Sequence, residues 1–183
     1  MSVQPVRHLF TADEYQRMGE AGLFGEDDRL ELIEGEIVEM APIGSRHAAC
    51  VDRLTRLLTA QVGDRAIVRV QSPIRLSARS EPQPDVTLLA PRTDFYGEAH
   101  PGPGDVWLVV EVADTSGAWD REVKARLYAR AGVPEMWVVD LDAEVVDVLR
   151  DPGPSGYAEM RRAGRGERLE AAGTVVEVDE LLG

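Results

Sequence analysis

The run Val106-Trp107-Leu108-Val109-Val110-Glu111-Val112 constrains the fold more than any other stretch. It is almost wholly apolar, as expected of a central strand covered on both faces. A helical pattern follows from about Ala118 to Ala131, with Gly132 as its stop, and Glu135 to Asp140 supplies a second apolar strand. Strand, helix and strand joined by such short links make a βαβ crossover, which predicts two parallel neighbouring strands and a right-handed connection.

The elements before this unit are shorter. Thr11 can cap a helix reaching Ala21, with Glu14 three residues on and Gly22 as the stop. Leu30 to Ile33 and Ile37 to Met40 flank Glu34-Gly35-Glu36 and predict a tight hairpin. Ser45 is the expected cap of a helix running to about Val62. Its Val51, Leu54 and Leu58 repeat at helical spacing, and Arg46, Arg53 and Arg56 take the more exposed side. Ala66 to Val70 and Ile74 to Leu76 read as two strands broken by Ser72-Pro73. Asp85 to Leu89 reads as a strand entered through Pro82-Gln83-Pro84, since proline pushes its predecessor toward extended geometry.

The connection from Pro91 to Asp105 holds three prolines and three glycines, and its length predicts a functional flap or disorder. Downstream, Glu144 to Leu149, Tyr157 to Arg161 and Thr174 to Val178 read as short antiparallel strands between glycine-rich turns. No internal repeat or second domain is evident. The expectation is one α/β domain over residues 1–183, with a mixed sheet, an N-terminal β-hairpin and C-terminal antiparallel strands.

Charge narrows the function. A formal charge of -13 argues against a general polyanion binder, because phosphate contacts supply most non-specific affinity. Any nucleic-acid contact must be local or offset by metal ions. Cys50 stands alone, which leaves no intramolecular disulfide and no thiolate zinc cluster. No segment is apolar enough for a membrane span or a signal core, so a soluble cytoplasmic protein without a membrane partner is expected.

Three residues suggest chemistry. Asp85 and Glu111 each sit at an end of an expected strand, and in adjacent strands their carboxylates can reach one hard cation. Glu111 interrupts an apolar pattern, where an unpaired carboxylate is costly. The chain has 20 basic residues and only one, Lys124, is a lysine. Lysine is a compact, tunable charge on a flexible stem, suited to positioning a water beside a metal. At the start of the crossover helix it lies near the carboxyl end of the preceding strand, where Glu111 is.

Pro84-Asp85 followed by Glu111-Val112-Ala113 resembles the PD-(D/E)XK nuclease superfamily, with Ala113 where the motif lysine usually stands. The chain is similar over nearly its full length to the Uma-type restriction endonuclease branch, a former domain of unknown function in which that lysine is shifted onto the next helix. The resemblance rests on Leu30-Glu31-Leu32-Ile33-Glu34-Gly35-Glu36, Ser45-Arg46-His47, Pro84-Asp85, Val110-Glu111-Val112, Asp120 with Lys124 and Tyr128, and Gly132-Val133-Pro134-Glu135-Met136-Trp137-Val138-Val139-Asp140. It implies a restriction-endonuclease-like core and metal-dependent hydrolysis of DNA, or of RNA. Asp85, Glu111 and the Val112 carbonyl would bind Mg2+ or Mn2+, and Lys124 would orient the attacking water or stabilise the charge that develops on the phosphate. Glu31 would be an auxiliary acid, and His47 would contact phosphate or assist proton transfer.

Plainer readings stand beside these. Asp85 is also a strand-end turn residue, and Glu111 a structural acid paired with an arginine. Lys124 also fits an i, i+4 salt bridge with Asp120, His47 a satisfied edge residue, and Glu31, Glu34 and Glu36 the solvated side of a hairpin. Trp107, Trp137 and Tyr128 read as core or interface packing, and His8 and His100 have no evident partners. Ser116 lacks a nucleophile elbow and a matched base, and no phosphate-cradling glycine motif is present. The alternative function is a catalytically silent nuclease-fold protein, a homodimeric binding or assembly module built through the C-terminal strands.

Overall fold

The computed structural model describes residues 6–25, 27–114 and 119–183, without the side chains of residues 120 and 121. The expected helix start at Ala118, Ser116 and the Asp120 side chain in the pair with Lys124 lie outside the described residues.

A mixed six-stranded sheet forms the centre. Its strands are β3 (Ile67–Val70), β4 (Val86–Leu89), β5 (Val106–Ala113), β6 (Glu135–Asp140), β7 (Val145–Gly153) and β8 (Gly156–Gly164), side by side in chain order. β5 and β6 are parallel, with Val110 beside Trp137, as the crossover pattern requires. The other neighbours are antiparallel, and Val86 of β4 faces Val110 of β5.

Alternation along β5 separates two cores. Leu108, Val110 and Val112 face helix α2 (Ser45–Val62), which contributes Val51, Leu54, Leu58 and Val62. The same face carries a hairpin of β9 (Arg168–Ala171) and β10 (Thr174–Glu177), and the final helix, Val178–Leu182. Val109 and Ala113 point the other way, toward the crossover helix α3 (Ala125–Ala131) with its Leu127 and Tyr128. Fully buried side chains such as Trp137, Leu54 and Leu58 each contribute about 1.5–3 kcal/mol by leaving water.

The N-terminal helix α1 (Ala12–Glu20) starts at the expected Thr11–Glu14 capping box. β1 (Leu30–Ile33) and β2 (Glu36–Glu39) form the expected hairpin. Glu34 and Gly35 have φ of 49° and 88°, the left-handed pair a two-residue turn needs. A Cβ on Gly35 would lie 2.7 Å from Leu9 Cβ, so close approach also requires glycine. Backbone bonds between Leu32 and Glu81 tie this hairpin to the segment that enters β4.

Several elements differ from expectation. The α2 cap is Gly44, in extended conformation and without a side-chain bond, and Ser45 is the first helical residue. Ile74 to Leu76 is not a strand. Both ends are buried, but their amides bond to the carbonyls of Pro82 and Ser80 in place of a ladder. The connection over 91–105 lies at the end of β4 and β5 farthest from Glu111 and contributes no residue to the lining of the cleft beside Glu111. Buried Tyr96 bonds the Ala90 carbonyl and lies beneath the Arg92 guanidinium. The C-terminal strands are nine-residue β7 and β8 within the main sheet plus the separate β9–β10 hairpin, and Val178 begins a helix. The crossover helix enters through a π-helical turn over Asp120–Lys124.

Candidate active site

The carboxyl end of β5 opens into a cleft of about 520 Å³ lined by Glu31, His47, Asp85, Glu111, Val112 and Lys124 among others. Besides Glu111 and Val112 of β5, four separate elements deliver these groups. Glu31 comes from β1, His47 from the first turn of α2, Asp85 from the entrance to β4, and Lys124 from the π-helical turn.

The sheet register sets the acid pair. Continuing the Val86–Val110 pairing by one residue brings Asp85 opposite Glu111. Asp85 Oδ2 accepts the Val112 amide at 2.9 Å and lies 3.0 Å from His47 Nε2, while Oδ1 has a longer bond, 3.4 Å, from Gln71. Nε2 must carry a proton to donate to that carboxylate. His47 Nδ1 is buried and makes no hydrogen bond among the described residues.

Glu111 points to the opposite face of β5 from Val112 and is 3% exposed. Its Oε1 accepts the Tyr128 hydroxyl at 2.6 Å and lies 3.3 Å from Lys124 Nζ. The same ammonium is 3.1 Å from Glu31 Oε1, and Glu31 Oε2 accepts the Gln83 amide at 3.2 Å. Lys124 and Tyr128 stand four residues apart, so one helix face carries both to Glu111. The π turn widens the helix at this point, a distortion that recurs at functional sites.

The hairpin acids divide. Glu31 is 2% exposed inside the cleft, whereas Glu34 and Glu36 lie outside and pair with Arg130 and Arg7. Arg46 braces the rim by bonding Asp114, Asp142 and the Leu141 carbonyl, which joins α2 to the ends of β5 and β6. His8 lies 3.8 Å from Glu14, and Trp137 is core. Tyr128, expected to be packing alone, also bonds a cleft carboxylate. Its spacing from Lys124 is the signal that points to this role.

Burial shifts a hydroxyl and a thiol near the cleft, with smaller contributions from nearby carboxylates. Burial, followed by the charges of Glu81 and Glu31, pushes the Tyr15 hydroxyl up to about 12. Burial, opposed by Arg53 and reinforced by Asp85, pushes the Cys50 thiol up to about 12. Among the described residues no three His, Cys, Asp or Glu side chains form a metal cage. Two carboxylates on adjacent strands with an open cleft nevertheless suit magnesium, which keeps several waters and takes few protein oxygens. Buried Glu31, Asp85 and Glu111 share the cleft with one ammonium and one imidazole, so carboxyl groups outnumber the cations beside them.

A mixed sheet with helices on both faces, and an acid pair where the end of its central strand β5 meets the entrance to β4, defines a restriction-endonuclease-like α/β protein. Residues 12–179 match the family Uma2, described as "Putative restriction endonuclease", and the chain belongs to that family. It is 31% identical over 132 residues to the uncharacterized protein sll1609 of Synechocystis sp., across 70% of this chain and 72% of that protein. The fold matches a crystal structure of "a putative nuclease belonging to DUF820" from Anabaena variabilis with a TM-score of 0.72. That match has 17% identity and covers 94% of this chain and 97% of the other. No helix among the described residues is long and apolar enough to cross a membrane.

Proposed function

We propose that the chain is a metal-dependent endonuclease that hydrolyses DNA phosphodiester bonds in the cleft at the end of β5. The observation that carries this reading is Lys124 within 3.1 Å of Glu31 and 3.3 Å of Glu111 in one buried cluster, with Asp85 on the adjoining strand. Family membership and the shared fold support the same chemistry.

Asp85, Glu111 and the Val112 carbonyl are the assigned ligands of Mg2+ or Mn2+. When bound, such an ion neutralises the scissile phosphate and lowers the pKa of water. The protein's own groups supply position and charge. Lys124 replaces the lysine missing at Ala113 and donates a hydrogen bond to the attacking water or to the phosphate oxygen that gains charge. Glu31 fixes the ammonium from the side of β1. Tyr128 holds Glu111, and His47 with the Val112 amide holds Asp85. The uncapped first turn of α2 adds backbone amides near Gly44 that suit a phosphate oxygen.

Incubation of the purified protein with supercoiled plasmid and Mg2+ or Mn2+ tests this reading. Nicking is expected, with loss in a chelator and in Glu111→Ala. Cleavage unchanged in Glu111→Ala and Lys124→Ala rejects the assigned site. Absence of both cleavage and manganese binding in the native chain rejects the enzyme and favours the silent binding module.

A further inference from the structure

Large apolar side chains are mostly hidden in this protein, but two exposed ones line the acidic cleft. Trp119 and Ile43 are each 40% exposed, and Met40 and Pro42 line the same opening. Trp119 stands one residue before the π-helical turn that carries Lys124, so the indole and the ammonium enter the cleft from one element. Ile43 comes from the link between β2 and α2, two residues before that helix begins. The nuclease chemistry proposed above assigns no task to either side chain.

Charge sets what the opening can hold. Among the described residues its lining carries five carboxylates, from Glu31, Glu39, Asp85, Glu111 and Asp114, against the cations of Arg29 and Lys124. Lys124 is engaged with Glu31 and Glu111, and Arg29 bonds the Ala41 carbonyl at 2.6 Å. Binding through phosphates, on a duplex or a single strand, needs basic side chains to displace counterions. The acidic rim offers the reverse. Affinity must then come from the apolar faces, and an indole binds nucleic acid by stacking on a base. In a duplex both faces of a base are already stacked. An unpaired base is free to meet Trp119. At about 520 Å³ the cleft is also in the size range of small-ligand sites, large enough for a single nucleotide unit.

We propose that Trp119, flanked by Ile43, is a stacking platform for an unpaired nucleobase, and that the substrate is single-stranded or locally unpaired nucleic acid. This rests on the nuclease reading for the chemistry, but binding can be measured without cleavage. Trp119 acts by holding the strand so that the phosphate next to the stacked base meets Asp85, Glu111 and Lys124.

Fluorescence anisotropy with labelled phosphorothioate 12-mers tests the proposal, using a thymidine strand, a uridine strand and a perfect duplex, each in magnesium and in chelator. Either single strand should bind at least about tenfold more tightly than the duplex. Trp119→Ala should weaken single-strand binding by about tenfold or more, and Trp119→Phe should retain most of it. Trp119 is 40% exposed, and Trp119→Phe, which keeps an aromatic ring there, should melt like the native protein. Equal binding of duplex and single strand, or single-strand binding unchanged in Trp119→Ala, overturns the proposal. If neither the plasmid nor an unmodified single strand is cleaved in magnesium or manganese while Trp119-dependent binding persists, the nuclease reading falls and the nucleobase site stands.

Discussion

The Tyr128 hydroxyl bonds Glu111 Oε1 at 2.6 Å, which links the crossover helix to the central strand at a buried carboxylate. Sheet and helix are thereby locked at the point where Lys124 also reaches Glu111. A carboxylate at the end of an apolar strand is tolerated because donors surround it, and those donors fix its direction. Specificity of geometry, more than net stability, is the use of such a cluster.

Replacing Tyr128 with phenylalanine removes that donor and keeps the ring in the core. Hydrogen bonds to charged groups are worth about 1.5–3 kcal/mol, so urea denaturation should show a loss of that order. Groups that orient metal ligands typically change metal affinity or activity about 10–100-fold, and calorimetry with manganese should report a weakening in that range. Native affinity in Tyr128→Phe would mean that Glu111 is oriented without it.

Lys124→Met leaves the Glu31 and Glu111 carboxylates buried without the ammonium between them. Breaking a buried ion pair costs about 3–5 kcal/mol, and the metal-free variant should melt at a correspondingly lower temperature. Manganese should raise the melting temperature of the variant more than that of the native protein, because it restores missing positive charge. Lys124→Arg should recover much of the stability but not cleavage, since a planar fork cannot place its donors where the compact ammonium does. A Lys124→Met protein that melts and cleaves like the native chain contradicts this account.

His47 acts on Asp85 Oδ2, which also receives the Val112 amide, and so helps to fix the direction of that carboxylate. His47→Ala should lower manganese affinity about 10–100-fold in calorimetry while the melting temperature moves little. Unchanged affinity would show that the Val112 amide suffices to orient Asp85.

Particular residues show what the sequence exposes and what it hides. β5, the crossover helix and β6 were legible because a buried parallel pair requires long apolar runs and a helix-length link. Ile74 and Leu76 carry equally apolar side chains, yet their amides find partners in Pro82 and Ser80, and periodicity does not reveal where an amide bonds. β9 has only Leu169 and Ala171 on its buried side and offers too short a pattern to detect. In the cleft, Asp85 and Glu111 stood out as acids at strand ends. Composition and periodicity did not separate Glu31 from Glu34 and Glu36, and the family resemblance alone pointed to it, because the packing of the hairpin decides which acid turns inward. The π turn before α3 has no compositional mark at all, although it sets the position of Lys124.

Cys50 gives a pH-dependent readout of the α2 core. Its thiol is fully buried, and burial raises its pKa from an ordinary 9.0 to about 12. In the unfolded chain the thiol ionises near pH 8.5–9. Below that range both states hold the proton, and the group does not make stability depend on pH. From about pH 9 to 12 the unfolded chain loses the proton first, so this residue should reduce stability by about 1.4 kcal/mol for each pH unit. Cys50→Ala should flatten that part of the stability profile in urea melts, after correction for the small cavity it leaves. The native thiol should also resist maleimide at pH 8 and react only on unfolding, because it is buried and protonated. Rapid labelling of the folded protein at that pH would show that α2 opens far more readily than its packing against β5 allows.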